Sequence, residues 1–338
     1  MSHLTKIPKV TILTPVYNEE AGLPFYVERV REVLLSRRDC EYRVLFIDDG
    51  STDTSWPLLR KICCGDSRFE AIRLSRNFGS HVALSAGIDS ACGDAVAVLA
   101  CDLQDPPEVI VEFAEKWQRG AKIVWGKRRT REDIGWRVVA SKFFFWLLKR
   151  YAMPKGSMFT TGSFLLADRK VVQAFKSFSE HNRITFALMA WTGFDQDVVE
   201  YDRKRRINGK SGWDFGRMIK TMYDALIGFS QAPIKLITLI GGVIFILSIL
   251  VASYVFFNWL LFGGETIPGW SSLMLMVSGF FGIQFLLTGI MGEYLSRIYT
   301  EATRRPLYFI SENTHESALF GGNGEKPGAS SIGAESRK

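Results

Sequence analysis

Short apolar runs alternate with helix-period stretches along the first half of the chain. Runs at 10–16, 42–48, 69–74 and 95–99 have strand length, and each ends in a polar turn. Helical patterns are predicted after the first three, at 23–35, from about 54, and at 80–90. A helix at 108–119 and a strand at 122–125 follow the fourth, and 161–168 reads as a further strand closing the domain. This rhythm predicts an α/β domain built on a mostly parallel, doubly wound sheet, with ligands at the carboxyl ends of the strands. No Gly-x-Gly-x-x-Gly follows the first strand, which argues against a dinucleotide-binding turn there.

The pattern changes towards the C-terminus. Runs 234–262 and 273–295 are apolar almost throughout, and at 1.5 Å per residue the shorter is about 34 Å long, enough to cross a bilayer core of about 30 Å. The connecting loop 263–270 has no cation, while cations precede the first run and follow the second, so the positive-inside rule puts both ends in the cytoplasm. Gly279, Gly282 and Gly289 predict close helix packing, and Gln284 an interhelical hydrogen bond. Segments 136–153 and 213–231 combine aromatic, aliphatic and basic residues at helical spacing, as interfacial helices do, although the first also fits an ordinary core helix. The polar tail from Ser311 is expected to be disordered.

Composition narrows the partners. The 338 residues carry a net charge of +7, which admits nucleic acid, anionic lipid or phosphate-bearing substrates. The cations cluster at strand ends and beside the apolar runs, so lipid and phosphate are expected and nucleic acid is not. Five cysteines without a Cys-x-x-Cys or a nearby histidine read as reduced thiols. Residues 1–9 run directly into the first strand with no signal-peptide pattern, so the N-terminal domain is expected to stay in the cytosol.

The candidate chemistry sits at the strand ends. Asp102 and Gln104, two apart after 95–99, would point the same way and offer hard oxygen ligands to Mg²⁺ or Mn²⁺, though a solvated turn has the same pattern. Asp48, Asp49 and Asp53 crowd one turn after the second strand, where Ser51 and Asp53 also suit helix capping. A carboxylate there can accept the imide proton of uracil. Lys127, Arg128, Arg129 and Arg131 end the fifth strand and fit either a solvated or lipid-facing surface or phosphate recognition.

Four motifs in register give the chain a likeness: Thr14-Pro-Val-Tyr-Asn-Glu19, Asp48-Asp-Gly-Ser-Thr-Asp53, Ser75-Arg-Asn-Phe-Gly79 and Asp102-Leu-Gln-Asp-Pro-Pro-Glu108. The chain resembles inverting glycosyltransferases of the GT-A type that act on polyprenyl phosphates, such as dolichyl-phosphate mannose synthases and, more closely, bactoprenol glucosyltransferases. The likeness covers roughly residues 8–305. It departs where the family has Asp-x-Asp-x-Gln, because Ala100 replaces the first acid. The resemblance implies a nucleotide-sugar site at Pro15, Tyr17, Glu19, Asp48, Asp49, Asn77 and Asp102, and a metal held by Asp102 and Gln104. It also implies acceptor-phosphate contacts at Arg128, Arg137, Ser141 and Arg206, with Asp102, Arg128, Arg137 and Arg206 serving catalysis.

The expected organisation is a nucleotide-sugar-binding part at 1–135, an acceptor side with interfacial helices at 136–232, two transmembrane helices at 233–296 and a cytoplasmic tail at 297–338. The expected reaction is transfer of a hexosyl group, glucose from UDP-glucose, to an undecaprenyl-type phosphate at the cytoplasmic face of a cell membrane, giving a lipid-linked sugar. A homo-oligomer and a flippase partner are compatible with it. The alternatives are another donor such as GDP-mannose, a processive polysaccharide synthase, which should carry a Gln-x-x-Arg-Trp element not found here, and a non-enzymatic receptor or lipid-translocation partner.

Overall fold

The computed structural model describes residues 7–129, 164–203 apart from 182, parts of 237–261, and 269–314. Strand β1 (Lys9–Val16) leads into α1 (Leu23–Val30), which widens into a single π-helical stretch, Arg31–Leu35. Next come β2 (Glu41–Asp48), α2 (Ser55–Gly65), β3 (Phe69–Leu74), α3 (Ser80–Ser90) and β4 (Ala95–Val98). Helix α4 (Glu108–Gln118) and β5 (Ile123–Arg128) follow. Beyond 163 lie β6 (Leu165–Asp168), α5 (Arg169–Lys176), α6 (Thr185–Trp191) and β7 (Gln196–Tyr201). The chain ends its described part with the long helix α7 (Trp270–Thr303) and a short strand, β8 (Ile310–Asn313).

The strands form one sheet in the order β7-β5-β6-β4-β1-β2-β3-β8. The left-to-right run β4-β1-β2-β3 is parallel, as the alternation of strands and helices predicts. The sheet as a whole is mixed, because β6 runs antiparallel between β4 and β5, and β8 runs antiparallel along β3. Strand β7, not anticipated from the pattern, pairs parallel with β5 and brings Tyr201 opposite Arg128.

Side-chain alternation along the strands feeds two cores, one on each face. Val10, Ile12, Val44, Phe46, Ala97 and Leu99 face α1, α2 and α4. Leu13, Leu45, Ile47, Val96 and Val98 face α3, α5 and α6. Tyr26, Phe46 and Phe69 form a chain of rings with centroids 5.8 and 5.9 Å apart. A second aromatic group, Phe113, Phe164 and Tyr201, packs against β5 at Gly126, where a Cβ would come within 2.9 Å of both Phe164 and Tyr201. Glycine is required there because the rings occupy the space a side chain would take.

Several expectations are changed by the C-terminal region. Among the described residues no helix is long and apolar enough to cross a membrane. The first expected span, 234–262, is described only in pieces, and several side chains of α7 lie outside the described set. Gly279, Gly282 and Gly289 on α7 have nothing within 4 Å of their Cβ positions, so the close packing expected of them is not found among the described residues. The tail expected to be disordered from Ser311 instead supplies Ser311–Asn313 to the sheet, because β3 offers an unpaired edge whose backbone groups β8 satisfies. The cysteines are free, as expected. Segments 136–153 and 213–231 lie outside the described residues.

The aromatic group at β5 gives a stability test. Phe113 is fully buried, and Phe113→Ala is expected to cost about 3–5 kcal/mol, read as a lowered thermal unfolding midpoint; a midpoint equal to wild type would mean that this core is not as packed as described.

Candidate functional site

Three loops at the carboxyl ends of β1, β2 and β3 are tied together before any ligand arrives. Asn18 adopts a left-handed backbone (φ 54°), which turns the chain out of β1. Its Oδ1 then accepts hydrogen bonds from the backbone N–H groups of Thr52 (2.9 Å) and Asp53 (3.4 Å), and its own N–H donates to Ser51 Oγ at 3.0 Å. Glu19 N–H donates to Ser55 Oγ at 2.9 Å. Asp53 accepts from Ser55 N–H at 3.0 Å and from Glu20 N–H at 3.3 Å, so it fastens these two loops in addition to its local turn.

Asp48 and Asp49 close β2 in the buried sheet and face different partners. Asp48 is fully buried, accepts the Ser51 N–H at 3.2 Å, and lies 3.2 Å from Arg73 Nε. That is an ion-pair distance, but the guanidinium N–H is not aimed at the oxygen, and no hydrogen bond forms there. Asp49 spans to the third loop: Oδ1 accepts from Phe78 N–H at 2.8 Å and Oδ2 from Gly79 N–H at 2.9 Å. Gly50, at φ 68°, lets the same loop lie directly on the β2 turn, since a Cβ there would come 2.5 Å from the Arg76 carbonyl carbon. Burial is the main cause that pushes both carboxyl groups above the usual aspartate range, against the hydrogen bonds that favour the ionised form.

At the end of β4, Leu103 takes a left-handed backbone (φ 52°) and Gln104 N–H donates back to Asp102 Oδ1 at 3.2 Å. Asp102 and Gln104 are half-buried. Glu19 approaches from the β1 loop, and the charges of Glu19 and Asp102 both act on the buried Cys101 thiol, whose pKa is raised chiefly by burial. Among the described residues no group of three or more His, Cys, Asp or Glu side chains forms a metal cage. One carboxylate and one amide oxygen instead fit a hard cation shared with phosphate oxygens of a ligand, the manner in which Mg²⁺ is commonly held.

The fourth cluster was not legible as such. Asp105, 2% exposed, accepts the Tyr201 hydroxyl at 2.5 Å and lies 3.3 Å from Arg203 Nε. Arg128, at the end of β5, faces Tyr201, and its buried Nε has no hydrogen-bond partner among the described residues. Asp105 therefore ties the loop carrying Asp102 and Gln104 to the basic ends of β5 and β7. The sequence signals available were the position of Asp105 inside the Asp102–Glu108 motif and Arg203 at the start of a basic run; β7, which pairs them, was not anticipated.

Pro15, Tyr17, Glu19, Asp48, Asp49, Asn77 and Asp102 thus all lie at one end of the sheet, on the ends of β1 to β4, with Arg128 at the same end of β5. Tyr17 is exposed at this rim and Asn77 sits in the loop held by Asp49. Arg137, Ser141 and Arg206 lie outside the described residues.

Residues 11–175 match the family model described as glycosyl transferase family 2. An uncharacterized glycosyltransferase of Synechocystis sp. is 37% identical over 305 residues, covering 90% of this chain and 95% of its own length. An uncharacterized glycosyltransferase of Bacillus subtilis is 37% identical over 309 residues, 90% and 93% of the two chains. The SfII prophage-derived bactoprenol glucosyl transferase of Shigella flexneri is 34% identical over 306 residues, 90% of this chain and 98% of its own.

The raised pKa of Asp49 fixes the sign of a pH effect. A carboxyl group that holds its proton more tightly folded than unfolded makes a contribution to stability that falls as pH rises through the raised pKa. The stability advantage of wild type over Asp49→Asn is therefore expected to be larger near pH 4 than near pH 7, measured as the difference in unfolding midpoints. A difference that grows towards neutral pH would mean that the two amide contacts outweigh burial.

Proposed function

The chain belongs to glycosyl transferase family 2, and from that membership we propose that it moves a glucosyl group from UDP-glucose to the phosphate of an undecaprenyl-type polyprenyl phosphate. The observation that carries this reading is likeness along nearly the whole length of a bactoprenol glucosyl transferase, not merely over the nucleotide-binding part. Strand-end acids beside a cationic cluster support it, because both substrates are anionic and must be brought together.

The donor's uracil and ribose would lie over the β1 and β2 turns, against Pro15, Tyr17 and Asp48, with Asn77 on the loop that Asp49 holds. Glu19 and Asp102 border the diphosphate. Asp102 and Gln104 would hold Mg²⁺ or Mn²⁺ together with the donor's phosphate oxygens, and the cation would supply charge neutralisation for the departing UDP. A phosphate monoester has a second pKa of about 6, so the acceptor arrives largely ionised and needs little help from a general base. The chain's own task is then positioning and charge compensation. Arg128, whose buried Nε has no partner among the described residues, offers an N–H to a phosphate oxygen. Arg137, Ser141 and Arg206 would complete that acceptor side. Displacement at the anomeric carbon by the phosphate oxygen inverts its configuration.

The acceptor is a lipid, so the site belongs at a membrane surface. Helix α7, 34 residues long, runs about 51 Å and exposes Leu273, Met276, Phe281, Phe285 and Met291. The apolar sequence runs 234–262 and 273–295, not the described helices, support two membrane spans, with 136–153 and 213–231 at headgroup depth and both termini cytoplasmic. The division at 135, 232 and 296 between donor part, acceptor part, spans and tail belongs to the same proposal. The product, a lipid-linked sugar, would suit a flippase.

A donor screen with purified full chain and undecaprenyl phosphate tests the reaction: UDP release is expected with UDP-glucose and abolished by EDTA. Preference for GDP-mannose would replace the donor while keeping the reaction class. Asp102→Asn should remove most transfer without lowering the unfolding midpoint, and an active Asn variant would take Asp102 out of the chemistry. Arg137→Ala should weaken lipid use by roughly 2 kcal/mol or more, as expected for a desolvated charge-assisted contact, with UDP affinity unchanged. Equal losses on both substrates would move Arg137 to the donor side.

A further inference from the structure

The segment that follows α7 returns to the sheet and reaches the donor side of the site. His181 N–H donates to Glu301 at 2.8 Å near the end of the helix, and the Tyr308 hydroxyl donates to Asp89 at 3.0 Å. Strand β8 then pairs with β3, with Arg73 opposite Glu312 and Ile72 opposite Asn313. Thr314 Oγ1 accepts from Ala71 N–H at 2.9 Å and donates to Ala71 C=O at 3.1 Å, which locks the register.

Two of these contacts go beyond protecting a sheet edge. Arg73 is held from both sides: Nη1 lies 3.2 Å from Glu312 Oε1, Nε lies 3.2 Å from the buried Asp48, and Nη2 donates to Ser51 C=O at 3.1 Å. The guanidinium also lies 5.6 Å from the ring centroid of Trp56. Ser75, the first residue of the loop that Asp49 grips, donates its N–H to Phe309 C=O at 2.9 Å. The loop over Gly50 is therefore fastened at its far end by Asp49 and at its near end by the returning segment.

We propose that residues 308–314 are a positioning strap for the donor site, with Glu312 holding Arg73 against Asp48 and the Phe309 carbonyl holding the start of the 75–79 loop. The proposal rests on the donor reading of Asp48 and Asn77 given above. It makes donor affinity depend on the docking of a segment that directly follows the proposed membrane helix. Glu312 acts through Arg73 and touches no substrate.

Full-length Glu312→Gln, Glu312→Asp and Thr314→Val test it. Glu312→Gln should raise both the UDP dissociation constant and the donor KM by roughly twofold to fivefold, the range for losing a half-exposed ion pair. Lipid KM and kcat at saturating donor should stay near wild type, and Glu312→Asp should restore most of the loss. The effect should shrink at high salt, because the pair is partly exposed. Amide exchange at Ser75, Phe78 and Gly79 reads the coupling with no ligand present and should accelerate in Glu312→Gln and Thr314→Val. Unchanged exchange at these amides, or lower stability with an unchanged donor KM, overturns the strap and leaves β8 as edge protection only. A wild-type chain that binds no UDP overturns the donor reading instead, and the exchange result then decides the strap alone.

Discussion

The Asp49 carboxylate and its two backbone amides are the constraint on which the rest of this end of the molecule depends. A pair of carboxyl oxygens set between the N–H groups of Phe78 and Gly79 fixes the loop before α3 to the turn after β2. The arrangement is possible only because Gly50 has no side chain where the Arg76 backbone passes. Once these two turns are fixed, Asn18 and Ser51 bring the β1 loop to the same place, and the strand-end acids acquire a common rim. The acid expected to read a base edge thus has a prior duty in building the surface on which a base would lie.

Charge is distributed across the sheet with the same economy of position. Acids stand at the ends of β1, β2 and β4, with Asp48, Asp49 and Asp105 buried and Glu19 and Asp102 half-buried, while Arg128 and Arg203 stand at the ends of β5 and β7. Asp105 joins the two halves, since its buried carboxylate accepts from Tyr201 and faces Arg203 while its neighbours carry the proposed cation ligands. A buried carboxylate needs such partners to offset desolvation, and these partners place cations next to the loop that would meet a diphosphate. An enzyme joining two anionic substrates requires that proximity more than it requires a strong base.

The mixed sheet decides how the ends of the chain relate. Strand β6 returns antiparallel between β4 and β5, which lets β5 and β7 extend the cationic side without separating it from the acids. Strand β8 closes the opposite edge and ties the exit of α7 to β3. The segment leaving α7 is therefore in contact with the loops of the proposed donor side, through Arg73 and Ser75.

The sequence by itself determined the local elements and the identity of most strand-end residues. Strand β3 and helix α3 fall at the residues that apolar run length and helical spacing indicate, 69–74 and 80–90, because their patterns reflect burial on fixed faces of the sheet. Motif order likewise put Asp48, Asp49, Asn77, Asp102 and Gln104 at strand ends. Tertiary structure decided what pairing alone can decide: the reversal of β6, the placement of β7 beside β5, and β8, whose two exposed and two half-buried residues carry no hydrophobic alternation and become a strand only because β3 presents an open edge. It also decided the partners. Nothing local marks Asp49 for the amides of Phe78 and Gly79, Asp105 for Tyr201, or Glu312 for Arg73, since a carboxylate far from its partner in sequence finds it only after the chain has folded back on itself.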